Sequence, residues 1–154
     1  MNRFDRNERF FGSEGQLRLK GTTVAVIGAG GLGSHVIQQL AHLGVGRLVI
    51  IDADMQEESN KNRDVGSLHA DPDGKISKVD VAERLVKAID PSIVVEKIQA
   101  DLRSEEALRR LQTVDYLFGC VDNDGVRLVL TEHCLAFDRP YFDLASDIHI
   151  DDGT

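Results

Sequence analysis

The sequence predicts an α/β protein, a doubly wound and mainly parallel sheet with helices on both faces. Three observations carry that expectation. Short β-branched and aliphatic runs alternate with stretches of helical periodicity along the chain. One run, Leu48-Val49-Ile50-Ile51, is continuously apolar, as a strand covered on both faces of a parallel sheet must be. A glycine turn, Gly28-Ala29-Gly30-Gly31-Leu32-Gly33, stands between the first such run and the first periodic stretch.

The elements follow in order. Residues 22–27 form the first strand, and residues 34–43 a helix whose Val36, Ile37, Leu40 and Leu43 recur at helical spacing. Gly44-Val45-Gly46 closes that helix before the second strand, residues 48–51. The polar segment 52–74 breaks at Asp71-Pro72-Asp73-Gly74 and predicts an irregular loop with room for one helical turn. Residues 76–89 are amphipathic, with Val79, Ala82, Leu85, Val86 and Ile89 on one face, and Asp90-Pro91 stops the helix. A third strand spans 93–98, and a helix capped by Ser104 runs to about Leu111. A fourth strand (114–120), a helix (125–137) and a fifth strand (141–145) complete the set. This is a Rossmann-like succession, in which ligands bind outside the carboxyl ends of the strands. Gly28, Asp52 and Asp122 each follow a strand, so three polar clusters are expected at one edge.

The 154 residues, 42% of them hydrophobic, suffice for one domain, read here as a single nucleotide-binding domain over 1–154. Ser146 to Gly153 reads as a strand entering a turn with no partner, so the natural protein is expected to be longer and this domain to lack a C-terminal part. A formal charge of −8 opposes non-specific attraction to nucleic acid or anionic lipid. A charged N-terminus and the lack of a long apolar run predict a cytoplasmic protein with no membrane span. Cys120 and Cys134 form no CxxC pair and read as core thiols rather than disulfide or zinc partners. His35, His42, His69, His133 and His149 show no ligand spacing, and Asp147, Asp151 and Asp152 read as a solvated acidic turn.

The chemistry lies in the turn and in the loop after the second strand. Glycines at positions 28, 30, 31 and 33 let backbone N–H groups and a helix N-terminus approach phosphate. Asp52, 19 residues after Gly33, stands near where a dinucleotide fold places an acid for a ribose hydroxyl. That pattern admits NAD, FAD or ATP. Ser59-Asn60-Lys61-Asn62-Arg63, followed by Lys78, favours a triphosphate, whose extra charge needs Arg, Lys and usually Mg²⁺. Solvated surface charge is the alternative for these residues. Asp122, ending the fourth strand, is a candidate Mg²⁺ ligand or else the cap of the next helix.

Arg3-Phe4-Asp5-Arg6, the GAGGLG turn, Asp52-Ala53-Asp54, Ser59-Asn60-Lys61-Asn62-Arg63, Lys78 and Cys120-Val121-Asp122-Asn123 with Arg127 occur in an order and spacing that resemble the ThiF/MoeB adenylyltransferases and the related ubiquitin-activating enzymes. The resemblance runs from about Arg3 to Ala145. It implies an ATP- and Mg²⁺-dependent adenylyltransferase that joins AMP to the C-terminal carboxylate of a ubiquitin-like or sulfur-carrier protein and releases pyrophosphate. By the same resemblance Gly28, Gly30, Gly31 and Gly33 form the nucleotide loop, and Asp52, with Asp54 beside it, serves the ribose. Asn60, Arg63 and Lys78 address the phosphates, and Asp122 takes the metal. Arg6 corresponds to an arginine that reaches the neighbouring subunit's triphosphate, which implies a homodimer. Catalytic roles fall to Arg63, Lys78 and Arg6.

Three departures stand out. Lys61 replaces the usual leucine, Asp64 the usual glutamine, and the helix lysine is offset by one residue, with Lys75 the weaker candidate. The family's crossover loop, its catalytic cysteine where present and its CxxC pairs would lie beyond Thr154. Rival readings are a nicotinamide- or flavin-dependent oxidoreductase, a non-catalytic partner subunit of a heterodimeric activating enzyme, and the tRNA-modifying dehydratase branch of the superfamily.

Overall fold

A computed structural model describes residues 2–71 and 73–145 of the chain. The readings placed on 146–154, including the acidic turn and His149, lie outside them. Helix α1 (Asp5–Gly21) precedes β1 (Thr23–Ile27), α2 (Gly31–Leu43), β2 (Arg47–Ile51), a 3₁₀ turn (Glu58–Asn60), α3 (Lys78–Ile89) and β3 (Val94–Ile98). The chain continues through α4 (Glu105–Leu111), β4 (Tyr116–Gly119), α5 (Asp124–Phe137) and β5 (Tyr141–Asp143). The strands form one sheet in the order β3-β2-β1-β4-β5, and every pairing in it is parallel. The order reverses between β1 and β4, which is the switch point where a doubly wound sheet opens a crevice.

Both faces are covered, as the apolar runs require. Val24, Val26, Leu48 and Ile50 point to the face packed by Ile37, Leu40 and Ala41 of α2 and Val79, Ala82 and Val86 of α3. Ala25, Ile27, Val49, Ile51 and Leu117 point the other way, against Ala107 and Leu111 of α4 and Leu130 and Cys134 of α5. Alternation along each strand thus divides one continuous apolar run between two cores. Ser77 and Ser104 cap α3 and α4 by accepting from the N–H groups of Asp80 and Ala107.

The main element absent from the sequence reading is α1. It buries little apolar surface: Gln16 is its one buried residue, and Phe10 and Leu17 are exposed. Tertiary contacts hold it instead. Gln16 Nε2 donates to the Leu43 carbonyl at 2.9 Å, and Arg3 pairs with Asp90 at 3.1 Å. These anchors put the start of α1 beside the amino ends of β2 and β3, opposite the edge that carries the glycine turn. Among the described residues no helix is long and apolar enough to cross a membrane.

Candidate nucleotide site

At the carboxyl ends of the strands the chain encloses an open cavity of about 710 Å³. Its wall contains Gly28, Gly30 and Gly31 of the turn and the acids Asp52, Asp54 and Asp122. Arg63 and Lys78 supply the cations. Three polar clusters, far apart in sequence, therefore meet at one edge because three parallel strands end there.

The turn is shaped by close backbone packing. Gly28 has φ +91°, and a Cβ on it would stand 2.6 Å from the Cys120 carbonyl oxygen; a Cβ on Gly33 would collide with the Gly28 carbonyl. Gly30 differs, because a Cβ there meets no protein atom within 4 Å. Its missing side chain leaves open space toward the cavity. Asp52 ties the turn to β2: its Oδ2 accepts from Ala29 N–H at 2.7 Å and its Oδ1 from Asp54 N–H at 2.8 Å. Each oxygen keeps a second lone pair for a ligand hydroxyl.

The two cations are fixed in different ways. Lys78 Nζ lies 2.8 Å from Asp54 Oδ2 with 13% of its side chain exposed. Burial opposes its charge, but the Asp54 hydrogen bond and the charges of Asp52 and Asp54 prevail and hold its pKa above the ordinary value. Lys78 is therefore a cation at any physiological pH. The Arg63 side chain lies over Gly31, where a Cβ would come within 3.1 Å of Cδ. Its Nη1 donates to the Ser59 carbonyl at 2.7 Å and to Asn62 Oδ1 at 3.1 Å. No partner among the described residues takes Nη2, which leaves donor capacity at the cavity.

Asn60 is not brought to the wall. It is buried, and its Oδ1 accepts from Glu57 N–H at 3.1 Å to close the 3₁₀ turn. Its carbonyl accepts from both Arg63 and Asp64 N–H at 3.0 Å. Asn60 thus shapes the loop that presents Arg63. Gly33 lies beneath the turn, and Arg6 is exposed on α1. Asp122 is not the cap of α5: Asn123 takes that place by accepting from Val126 N–H at 3.1 Å. Asp122 remains exposed on the cavity wall, with no hydrogen bond to its carboxylate among the described residues. No group of three or more metal-binding side chains occurs among those residues. A lone carboxylate suits Mg²⁺, which completes its shell with water and phosphate oxygens.

Several residues outside the predicted set build the loop. Lys61, the departure from leucine, puts its ammonium on the Asp71 carbonyl at 2.9 Å and on Glu58 at 2.6 Å. Arg84 of α3 grips Asp71 through two bonds of 2.7 and 2.6 Å and donates to the Gly66 carbonyl at 2.8 Å. Arg127 of α5 forks onto Asp143 of β5, its Nη2 2.6 Å from Oδ2, and so ties the helix after Asp122 to the sheet. The partners stand 13 and 16 residues apart across loops, and no periodic signal links them.

The Arg84 fork, more than burial, sets the Asp71 pKa, and holds it below the ordinary 3.8. The stabilisation from this pair is accordingly complete above pH 3.8 and is lost as pH falls through the lowered value. Arg84→Ala should cost about 2 kcal/mol at neutral pH by stranding a buried carboxylate, and should flatten that acid-side loss. Urea unfolding of both proteins from pH 7 to pH 2 measures both effects; equal stabilities throughout would remove the fork from the loop's support.

Burial pushes the Cys120 thiol up to about 11, with the Asp143 charge assisting, and burial alone raises that of Cys134. Both are neutral thiols at physiological pH, in keeping with their reading as core residues.

The fold is a doubly wound α/β sheet with a glycine turn and a polar cavity at its switch point. The ThiF family profile matches residues 4–146, and the chain belongs to that family. It is similar to the SAMP-activating enzyme E1 of Haloferax volcanii, at 37% identity over 80% of this chain and 45% of that protein. It is equally similar to the sulfur carrier protein adenylyltransferase of Thermus thermophilus, at 37% identity over 84% of this chain and 47% of that one. The chain thus spans less than half the length of these two relatives. Among solved structures, E. coli MccB with ATP superposes with a TM-score of 0.80 at 27% identity, covering 93% of this chain and 45% of MccB. E. coli tRNA N6-threonylcarbamoyladenosine dehydratase with ATP superposes at 0.82 over 92% of this chain and 58% of its own, and its 22% identity speaks for the fold alone.

Proposed function

We propose that this chain is the adenylating core of an activating enzyme, which uses ATP and Mg²⁺ to convert the C-terminal carboxylate of a ubiquitin-like or sulfur-carrier protein into an acyl-adenylate. The observation that carries this reading is the meeting of Arg63, Lys78 and an unengaged Asp122 around the glycine turn in one cavity. A dinucleotide dehydrogenase has no use for two cations and a free carboxylate at that point, and ThiF membership likewise favours adenylation over nicotinamide or flavin chemistry. One oxygen of the partner's carboxylate attacks the α-phosphorus of ATP. The bond between that phosphorus and the α,β-bridging oxygen breaks, and its electron pair leaves with pyrophosphate. The enzyme's part is alignment and charge stabilisation. The turn's N–H groups and Arg63 face phosphate oxygens, Lys78 exchanges Asp54 for the nucleotide, and Asp52 holds the ribose. Asp122 would hold Mg²⁺, which supplies Lewis-acid neutralisation of phosphate charge.

The same reading makes the working unit a cytoplasmic homodimer. Arg6 starts α1 at the amino ends of the strands, on the far side of the sheet from its own cavity. A second copy is the natural recipient of its charge. Such an arginine in trans also suits the single-nucleotide chemistry better than a non-catalytic partner role, since this chain carries the phosphate and metal residues itself.

Exchange of labelled pyrophosphate into ATP, dependent on a carrier protein with a free C-terminal glycine, is the direct test. Binding of NAD⁺ or FAD without ATP competition, and no exchange with any carrier, would overturn the assignment. Within that assay, Asp122→Asn should reduce Mg²⁺-dependent turnover by at least about 10²-fold while weakening nucleotide binding much less. Because Asn123 is the cap, unfolding stability should stay within about 0.5 kcal/mol of wild type. Normal Mg²⁺-dependent exchange in the variant would take the metal away from Asp122.

A further inference from the structure

Asp64, one residue beyond Arg63, is only 6% exposed, yet neither oxygen of its carboxyl has a hydrogen-bond partner among the described residues. It cannot swing outward without dismantling the loop. Its N–H donates to the Asn60 carbonyl at 3.0 Å, and its carbonyl accepts from Ser67 N–H at 3.2 Å. The next residue is tied to α2, with Val65 N–H donating to Ser34 Oγ at 2.9 Å.

Gln56 lies beside Asp64 and is 1% exposed. Its Nε2 donates to Ser67 Oγ at 2.8 Å, and its Oε1 has no partner among the described residues. An ionised Asp64 would therefore be a buried carboxylate with no hydrogen-bond partner among the described residues. Such an arrangement is costly. A single proton on Asp64 lowers that cost, because the neutral acid has no charge to desolvate.

The charged groups facing Asp64 come from every element around it. They are Lys78 at the start of α3, Arg63 in the same loop and Asp52 at the end of β2. Burial dominates and raises the Asp64 pKa; Lys78, the Gln56 amide and Arg63 pull it down, and Asp52 adds to the rise. The two cations that face Asp64 also line the nucleotide cavity.

We infer that Asp64 is a proton-carrying positioning residue: as the neutral acid it leaves Lys78 and Arg63 to the nucleotide phosphates, whereas its ionisation draws on the same two cations and weakens phosphate binding. This rests on the nucleotide reading above and adds a regulatory property to it. A glutamine, the residue usual at this position in the family that the sequence resembles, would hold the same place without titrating. The aspartate makes affinity depend on pH. The sign follows from the charge: as pH rises through the Asp64 pKa, one negative charge is added beside the phosphate site, and affinity falls.

Two measurements on the intact protein test this. A ¹³C titration of the Asp64 carboxyl, assigned by its absence in Asp64→Asn, should show an inflection above the ordinary 3.8. Across that inflection the ratio of the wild-type ATP Kd to that of Asp64→Asn should rise roughly tenfold, the scale of one charge acting at an effective dielectric of about 20. Taking the ratio cancels the titration of ATP itself. An inflection at or below 3.8, or a flat ratio, overturns the inference while leaving the nucleotide site intact. Failure of both proteins to bind ATP overturns the nucleotide reading instead, and with it the phosphate half of this one.

Discussion

Alanine at either Arg63 or Lys78 is expected to slow acyl-adenylate formation by roughly 10²–10³-fold, the scale for losing one preorganised charge contact in a transition state. Both side chains lie at the cavity surface, so the fold should survive. Arg63 rests on Gly31 with its Nη2 unspent, and Lys78 is held as a cation by Asp54. The two differ in what ATP must displace. Lys78 has to exchange its Asp54 partner for phosphate, whereas Arg63 keeps its Ser59 anchor and adds a contact. Lys78→Ala should therefore weaken ATP binding as well as kcat, and Arg63→Ala should fall mainly on kcat. Pyrophosphate exchange gives the rates, and equilibrium titration gives the affinities. Near wild-type exchange in both variants would end the assignment of the phosphate site to this wall.

The largest structural effect is expected at Gly33, where alanine should destabilise the protein by about 3 kcal/mol or more. The added Cβ would meet the Gly28 carbonyl, a backbone atom at the end of a strand buried in the sheet, and neither partner can move aside. Gly28 is itself pinned, since its N–H donates to the Ile51 carbonyl at 2.8 Å. Gly30→Ala provides the contrast. Its Cβ meets no protein atom, so the fold should be nearly unaffected while ATP affinity drops, because the open space belongs to the ligand. Thermal unfolding alongside ATP titration separates the two. A Gly33→Ala protein as stable as wild type would show that α2 can shift away from β1, and an unimpaired Gly30→Ala protein would place the phosphates elsewhere.

Much of the architecture was legible because it rests on local patterns. The apolar run from Leu48 to Ile51 is a strand covered on both sides. Ser104 caps α4 as its position predicted, whereas α3 begins at Lys78 rather than Ile76, with Ser77 as its cap. Boundaries moved by a few residues: α2 begins at Gly31 rather than Ser34, and β4 spans Tyr116–Gly119 rather than 114–120. Helix α1 had no comparable signal. Its apolar residues are few and partly exposed, and it is held by Gln16 on Leu43 and Arg3 on Asp90, partners from other elements.

The sequence by itself determined the alternation of strands and helices, the glycine turn, the acid after β2 and the cations after it, because these depend on neighbours along the chain. It determined, too, that Gly28, Asp52 and Asp122 share an edge, since strands in parallel register end on the same side. Only the tertiary structure decided how each polar group is used. It turned Asn60 inward to close a 3₁₀ turn, and it gave the cap of α5 to Asn123 so that Asp122 stays unengaged. It also set Arg63 over Gly31 and buried the Asp64 carboxyl with no hydrogen-bond partner among the described residues. The physical reason is the range of the interactions. Periodicity and capping act within one or two turns of chain and leave a trace in the order of residues. Hydrogen bonding and desolvation depend on which distant groups come within about 3 Å, and packing alone decides that.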